Sequence, residues 1–294
     1  MKLFHFSTPD TVGLRLGAMT ERGLVDLAAA AALQRTDIPA NLEDLFGLGD
    51  VGLNQLIALL QSLPDSGPWL MTDEEITYGS VVLNPEKILC IGLNYRLHAI
   101  ESGAAIPTSP ILFGKFNNSL AAHGEIIPIP PVTAQADYEV ELAVIIGKTA
   151  SDVPVESALE YVFGYCTAND FSARDLQTRT SQWLLGKSMD KFQPMGPYLV
   201  TRDEIANPDA LWLKTWVNGE LRQDSNTSDM VFDVATLVSY ASRHMTLKPG
   251  DVISTGTPAG VILGLVKNGV PWLKAGDVVE VEVEGLGKLR NVMG

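Results

Sequence analysis

The chain has 294 residues, 46% hydrophobic and 19% charged, which suits one large globular domain or a medium domain with a small one. Lys and Arg number 21 against 35 Asp and Glu, and the resulting charge of −14 repels nucleic acid and anionic membrane surfaces, so neither is an expected partner. An anionic small substrate would meet the same field, so a pocket for an acid needs a metal ion or a local group of Lys and Arg.

The first residues, Met1 to Ser7, turn polar quickly and show no long apolar segment with a cleavage site, so no signal peptide is expected. Segments Lys2–Ser7 and Val12–Met19 alternate as paired strands would, and Gly23–Asp26 reads as a third. An Ala-rich helix over Leu27–Leu33, a helix start at Asn41 and an apolar helix over Val51–Leu63 follow. The longest apolar runs are too short to span a bilayer. Pro64-Asp65-Ser66-Gly67-Pro68 is the strongest breaker, and it divides the chain into a small N-terminal α+β domain (residues 1–72) and a larger domain (73–294).

From Lys87 onward short β-rich runs dominate: Ile88–Gly92, Ile111–Lys115, Ile126–Ile129, Glu139–Ile146, Phe163–Asn169, Tyr198–Thr201, Leu211–Val217, Val252–Thr255 and Val278–Val283. Asn218-Gly219 marks a hairpin. Helices are expected at Ser157–Tyr161, around Arg174–Trp183 and at Val234–Met245. The pattern predicts a β-rich α+β fold and not a doubly wound sheet. Cys90 and Cys166 each fall in an apolar run, so a disulfide or cysteine-bound zinc is not expected, and a cytoplasmic address fits.

The sharpest chemical feature is Asp137-Tyr138-Glu139-Val140-Glu141, which opens a run ending in Leu-Ala-Val-Ile-Ile. In a continuous strand Asp137, Glu139 and Glu141 would share one face with neighbours roughly 6–7 Å apart. Such crowding in a half-buried strand calls for a counter-charge, and hard oxygen ligands suit magnesium or manganese. A solvated acidic edge would give the same pattern. Asp170, at the end of another apolar strand, is the candidate third ligand, or else a helix N-cap.

In Gly92-Leu93-Asn94-Tyr95-Arg96-Leu97-His98-Ala99-Ile100-Glu101, His98 and Glu101 would share a helical face, and an imidazole backed by a carboxylate can activate water. A lone surface histidine is the plainer reading. Gly186-Lys187-Ser188 resembles the end of a phosphate loop, but Ser181 stands where its first glycine belongs. Lys187 is therefore read as a substrate or oxyanion contact. No Gly-x-Ser-x-Gly element is present, which disfavours an α/β-type serine hydrolase. Ser254-Thr255-Gly256-Thr257-Pro258-Ala259-Gly260 could offer Gly256 backbone and Thr257 hydroxyl donors to an anion, or be an ordinary tight turn.

Taken in order, Gly-Leu-Asn-Tyr-x-x-His, Asp-Tyr-Glu-x-Glu-Leu, Asn-Asp-Phe-Ser-Ala-Arg-Asp, Gly-Lys-Ser-x-Asp and Ser-Thr-Gly-Thr-Pro-x-Gly resemble the fumarylacetoacetate hydrolase superfamily over about residues 85 to 294. The resemblance implies a mixed β-roll catalytic domain, commonly dimeric, beside a variable N-terminal domain. By position Glu139, Glu141 and Asp170 match the family's metal ligands, and His98 with Glu101 its water-activating pair on a lid. Lys187 matches the active-site lysine, Thr257 the threonine of the anion-binding loop, and Arg174 and Gln177 polar positions that face substrate. Asn94 stands near where fumarylacetoacetase carries an additional aspartate ligand. The stretch Gln182–Lys187 places the chain nearer the longer branch, whose members include hydrolases, hydratases and oxaloacetate tautomerases or decarboxylases.

The resemblance thus implies a Mg²⁺- or Mn²⁺-dependent enzyme for small 2-oxo acids, working as a homodimer. The first expectation is hydrolysis of a 2,4-dioxo acid of the acylpyruvate type. His98, oriented by Glu101, would deprotonate water, and hydroxide would attack the 4-carbonyl. Lys187 would steady the oxyanion, and cleavage between C3 and C4 would leave pyruvate as its enolate. Oxaloacetate tautomerisation or decarboxylation, through the same kind of enolate, is the alternative. A non-catalytic metal-binding scaffold is a further one, though it leaves His98 and Lys187 unexplained.

Overall fold

A computed structural model describes residues 1–294. The N-terminal region holds β1 (Lys2–Ser7), β2 (Arg15–Thr20), β3 (Gly23–Asp26), α1 (Leu27–Gln34), α2 (Leu42–Leu48) and α3 (Asp50–Ser62). The chain continues through β4 (Ile88–Gly92), α4 (Arg96–Glu101), β5 (Ile111–Lys115), β6 (Val140–Ile146), β7 (Val162–Asn169), α5 (Arg174–Gln177) and α6 (Leu184–Lys187). It ends with β8 (Leu199–Thr201), β9 (Trp212–Val217), β10 (Glu220–Asn226), α7 (Val234–His244), β11 (Val252–Ser254), α8 (Ile262–Leu265), β12 (Val278–Val283) and β13 (Gly287–Met293). The fold is the mixed α and β architecture expected, with large open sheets and no closed barrel.

The larger sheet runs in the order β3-β2-β1-β8-β7-β6-β11-β4-β5, with Leu70–Met71 added beyond β3. The N-terminal strands thus extend the sheet that carries β6 and β7, and Lys2 and Leu3 pair with Val200 and Leu199. Trp69, just past the Pro-Gly breaker, is buried in the same core as α1 to α3.

Alternation along β6 explains the layering. Val140, Leu142, Val144 and Ile146 join a core shared with β9, β12 and α7, while Ala143 and Ile145 join the one under α1 to α3. Successive strand residues face opposite ways, so a strand buried on both faces reads as an unbroken apolar run. Glu139 and Glu141 belong to the odd-numbered set. On that set the strand opens with carboxylates and closes with aliphatics.

The second sheet, in the order β10-β9-β12-β13 with Ile126–Ile127 at its edge, packs Leu213, Val217, Val279, Val281 and Val283 into the first core. Its β9–β10 turn is Asn218-Gly219, with φ of 52° and 81°, as a type I′ hairpin requires. Several expectations change in detail: the strand expected over Val12–Met19 spans Arg15–Thr20, and the helix expected over Ser157–Tyr161 is a 3-10 helix over Val155–Tyr161. The strand proposed for Ile126–Ile129 stops at Ile127, because Pro128 has no N–H to give the ladder. The helix expected around Arg174–Trp183 is one short turn, α5, and a second turn, α6, starts only after Trp183. Between them the Thr180 hydroxyl bonds the backbone of Gln182, a local alternative to helix.

His5 is fully buried on β1 and links this region to the rest. Its Nδ1 lies 2.9 Å from the Ser80 carbonyl, and its Nε2 accepts the Leu42 N–H at 3.1 Å, where α2 begins. That pairing requires a neutral ring, and burial pushes its pKa down. The unfolded chain therefore takes up the proton first, so stability present at neutral pH is lost as pH falls through the ordinary imidazole range. Urea denaturation at a series of pH values should show this loss in the wild type and a flatter dependence in His5→Gln.

Candidate active site

Three loops that follow strands converge on one end of β6. They are the β4–α4 turn, the segment after β7 and the loop after β11. Register brings this about: Val140 pairs with Asn169, Ala143 with Ser254, and Ser254 with Cys90. Asn169 Oδ1 accepts the Glu139 N–H at 2.9 Å, and the Asp170 N–H donates to the Glu139 carbonyl at 2.9 Å. Those two bonds fix Glu139 against Asp170. As a result Glu139, Glu141 and Asp170, all buried, bring carboxylate oxygens within 4.8 Å of one another.

Asp137 does not join them. It lies in a separate short pairing of Ala136–Asp137 with Ser172–Ala173, and the strand expected to run through it begins only at Val140. Its carboxylate instead accepts from the backbone N–H of Tyr138 (2.9 Å), Ile262 (2.8 Å) and Leu263 (3.0 Å), and from Arg174 Nε (2.8 Å).

Buried like charges need neutralising. Lys187 Nζ sits 2.6 Å from Glu139 Oε2 and 2.9 Å from Asp170 Oδ2. Lys115 Nζ donates to Asp170 Oδ1 and, at 2.7 Å, to the Phe192 carbonyl. Arg174 Nη2 is 2.7 Å from Glu139 Oε1, close enough to pair but poorly directed for a hydrogen bond. Burial would raise the Glu139 pKa, but Lys187 and Arg174 outweigh it and push it down to about 2. Glu141 shifts the other way. Burial, then Asp170 and Glu139, raise it, although Oε2 accepts from the Ser254 hydroxyl and, at 3.0 Å, from the Gly256 N–H. Burial would lower the Lys187 pKa, but Asp170 and Glu139 raise it, so its ammonium keeps its proton.

Above this cluster lies a cavity of about 220 Å³. Glu139, Glu141, Lys187, Arg174, Gln177, Thr257 and His98 line it, with Phe113, Trp183, Leu93 and Leu263 as apolar walls. Trp183 packs edge-on against Phe113 at 5.3 Å and lies over Gly92, where a Cβ would come within 2.5 Å of the indole. A wider cleft of about 410 Å³ opens between Met1, α3 and Phe163, and it contains none of these residues. The donor set of three buried carboxylates fits a hard divalent cation and not zinc, which favours nitrogen and sulfur.

The fumarylacetoacetate hydrolase C-terminal family matches residues 87–293. The chain belongs to the fumarylacetoacetate hydrolase family. It is 39% identical to the mitochondrial oxaloacetate tautomerase fahd2 of Xenopus laevis, over 99% of this chain and 89% of that one. A fumarylacetoacetate hydrolase from psychrophilic Exiguobacterium antarcticum superposes with a TM-score of 0.83 at 37% identity, covering 100% of this chain and 99% of that one. A fumarylpyruvate hydrolase from Pseudomonas aeruginosa, solved with Mn²⁺ and pyruvate, has a TM-score of 0.65 at 31% identity over 76% of this chain and 92% of its own. Among the described helices none is long and apolar enough to cross a membrane.

Within this family member, His98, Glu139, Glu141, Arg174, Gln177, Lys187 and Thr257 line one cavity, Asp170 lies buried against Lys187, and Glu101, Gly256 and Asn94, like Asp137, take other parts. Glu101 is not hydrogen-bonded to His98: Oε2 lies 3.5 Å from Nδ1, which has no partner, and both Glu101 oxygens accept the Gly260 N–H at 3.1 Å. Gly256 gives its N–H to Glu141, so it is no free anion donor. Asn94 bonds the Thr255 carbonyl (2.7 Å) and the backbone of Phe232, holding the β4–α4 turn to the loop after β11.

Sequence reasoning missed Lys115, Asn169 and Gln223, and gave Asp137 a different part. Lys115 carried a signal, a cation closing the apolar strand Ile-Leu-Phe-Gly-Lys. Asp137→Ala would leave Arg174 Nε and three backbone N–H groups buried without their acceptor. It should destabilise the protein by about 3–5 kcal/mol in urea unfolding, with Asp137→Asn in between. Equal stability of Asp137→Ala and wild type would refute that structural role.

Proposed function

We propose that this enzyme moves a proton between the keto and enol forms of a small 2-oxo diacid, with oxaloacetate as the substrate. The observation that carries this reading is the commitment of Glu101 to the Gly260 N–H, which leaves His98 as a single base without a hydrogen-bonded carboxylate. Hydrolysis asks for an oriented base and a positioned water, whereas tautomerisation asks for one group that takes a proton and returns it. Similarity to a named tautomerase over nearly the whole chain supports the same choice.

Glu139, Glu141 and Asp170 would hold Mg²⁺ or Mn²⁺, which when bound supplies the Lewis acidity that makes C3–H of a 2-oxo acid removable. His98 would accept that proton and deliver it to the 2-oxygen, with no other reactant consumed. Lys187, kept as an ammonium by its carboxylate neighbours, brings positive charge to the cavity in which the enolate forms. Gln177 Oε1 accepts from Arg174 Nη1 at 2.9 Å, so its amide N–H groups remain for a substrate carboxylate.

A second reading, hydrolysis of 2,4-dioxo acids to pyruvate, is favoured by the 3.5 Å approach of His98 to Glu101, which a small rotation would close. Purified protein with Mg²⁺ or Mn²⁺ should speed the loss of enol-oxaloacetate absorbance above its spontaneous rate. His98→Ala should lower kcat by about 10²–10⁴-fold, and Glu139→Gln should abolish Mn²⁺ binding as read by electron paramagnetic resonance. Metal-dependent pyruvate release from acetylpyruvate, with oxaloacetate tautomerising at its background rate, would replace this reading with hydrolysis. Release of carbon dioxide from oxaloacetate would replace it with decarboxylation.

A further inference from the structure

One buried amide behind the cavity donates to a hydroxyl that lines it. Gln223, on β10, has no exposed surface. Its Oε1 accepts the Val140 N–H at 3.0 Å and the Thr215 hydroxyl at 2.7 Å. Its Nε2 donates to the Pro258 carbonyl at 2.9 Å and to Thr257 Oγ1 at 2.9 Å. Every lone pair and proton of the amide has a partner. The orientation is also forced, because a backbone N–H can only donate and a carbonyl can only accept. Turning the amide over would set oxygen against the Pro258 carbonyl and N–H against the Val140 N–H.

Two consequences follow. Thr257 Oγ1 receives the Gln223 proton, so its own O–H must point elsewhere, and Thr257 lines the cavity. Val140 stands between Glu139 and Glu141, so the same amide joins the carboxylate strand to the Thr257 loop. Close approach of that loop depends on Gly260, at φ 103°, where a Cβ would fall 2.3 Å from the Arg222 carbonyl.

We propose that Gln223 is a positioning residue that, by filling one lone pair of Thr257 Oγ1, turns the hydroxyl proton toward the cavity and a carboxylate of the substrate, favouring acceptor-rich 2-oxo acids. This rests on the reading of the site as one for metal-bound 2-oxo acids. Gln223→Glu keeps the shape but can only accept when ionised, so it draws the Thr257 proton away from the cavity. Gln223→Met keeps the volume and leaves that proton without direction.

The test uses full-length protein loaded with Mn²⁺, oxalate as the probe and calorimetric Kd values, with Mn²⁺ affinity measured separately. Gln223→Glu and Thr257→Val should each weaken oxalate about tenfold, as loss of a hydrogen bond to a charged group does, while Thr257→Ser stays near wild type. The double variant should be no weaker than the weaker single one, because both changes remove the same donor. In turnover the loss should raise KM more than it lowers kcat. If Gln223→Glu does not fold, Gln223→Met carries the test with a weakening of several fold. Unchanged oxalate affinity in the folded Gln223 variants, or additive losses in the double variant, overturns the proposal alone. Failure of the Mn²⁺-loaded wild type to take up oxalate overturns both it and the reading of the site.

Discussion

Buried charge balance is the constraint on which the site depends. Asp137, Glu139, Glu141 and Asp170 are buried together with Lys115, Lys187 and Arg174, so four carboxylates face three cations. Isolated charges at such depth are expensive, and a buried pair survives only with near-complete hydrogen bonding. Glu139 and Asp170 obtain it from the cations. Glu141 has hydrogen bonds but no cation of its own, and its pKa rises accordingly. With all four carboxylates ionised, a divalent ion at the three proposed ligands would change a deficit of one positive charge into an excess of one. That inversion answers the difficulty raised by the −14 net charge, since it gives an anionic substrate a local field of the favourable sign.

The fold supplies this balance by bringing distant segments to one sheet end. β6 runs antiparallel to both β7 and β11, so the start of one strand meets the ends of the other two. Loops after strands can carry such chemistry because the paired strands behind them hold position. The cross-links are side chain to backbone: Asn169 to Glu139, Asn94 to Thr255, Asp137 to the start of α8, and Gln223 to Val140 and Pro258. Each satisfies backbone groups that a non-strand segment would otherwise leave buried and unpaired.

Much of this was legible in the sequence, and the exceptions have a physical pattern. Period-two alternation placed Glu139 and Glu141 on one side of β6, and the apolar run ending before Asp170 located a strand terminus. Strand boundaries at Ile88–Gly92, Ile111–Lys115 and Val278–Val283 were readable from hydrophobic runs between turns. Asp137 was misplaced because alternation presumes an unbroken strand, and the chain changes partner at Tyr138. The signal at Lys115, a cation closing an apolar strand, did not name its partner, and Gln223 had no local signal. Their partners lie 55 and 83 residues away, and only register brings them together. The His98–Glu101 spacing correctly implied a shared helical face, but not the competing Gly260 N–H, which arrives from 159 residues on.

That competition bears on which reaction the site can run. A carboxylate that accepts a backbone N–H with both oxygens is held by the loop, so it acts first as a clasp between α4 and the Thr257 loop. Turning Oε2 onto His98 would break one arm of this shared bond while Oε1 keeps the Gly260 N–H, a cost below the roughly 1 kcal/mol of a whole hydrogen bond. Hydrolysis would have to meet that cost before its base is oriented. A proton shift between neighbouring atoms of one small substrate does not, because the base needs only to reach the C3–H and the 2-oxygen. The same catalytic parts can therefore favour tautomerisation or hydrolysis according to where one glutamate places its charge.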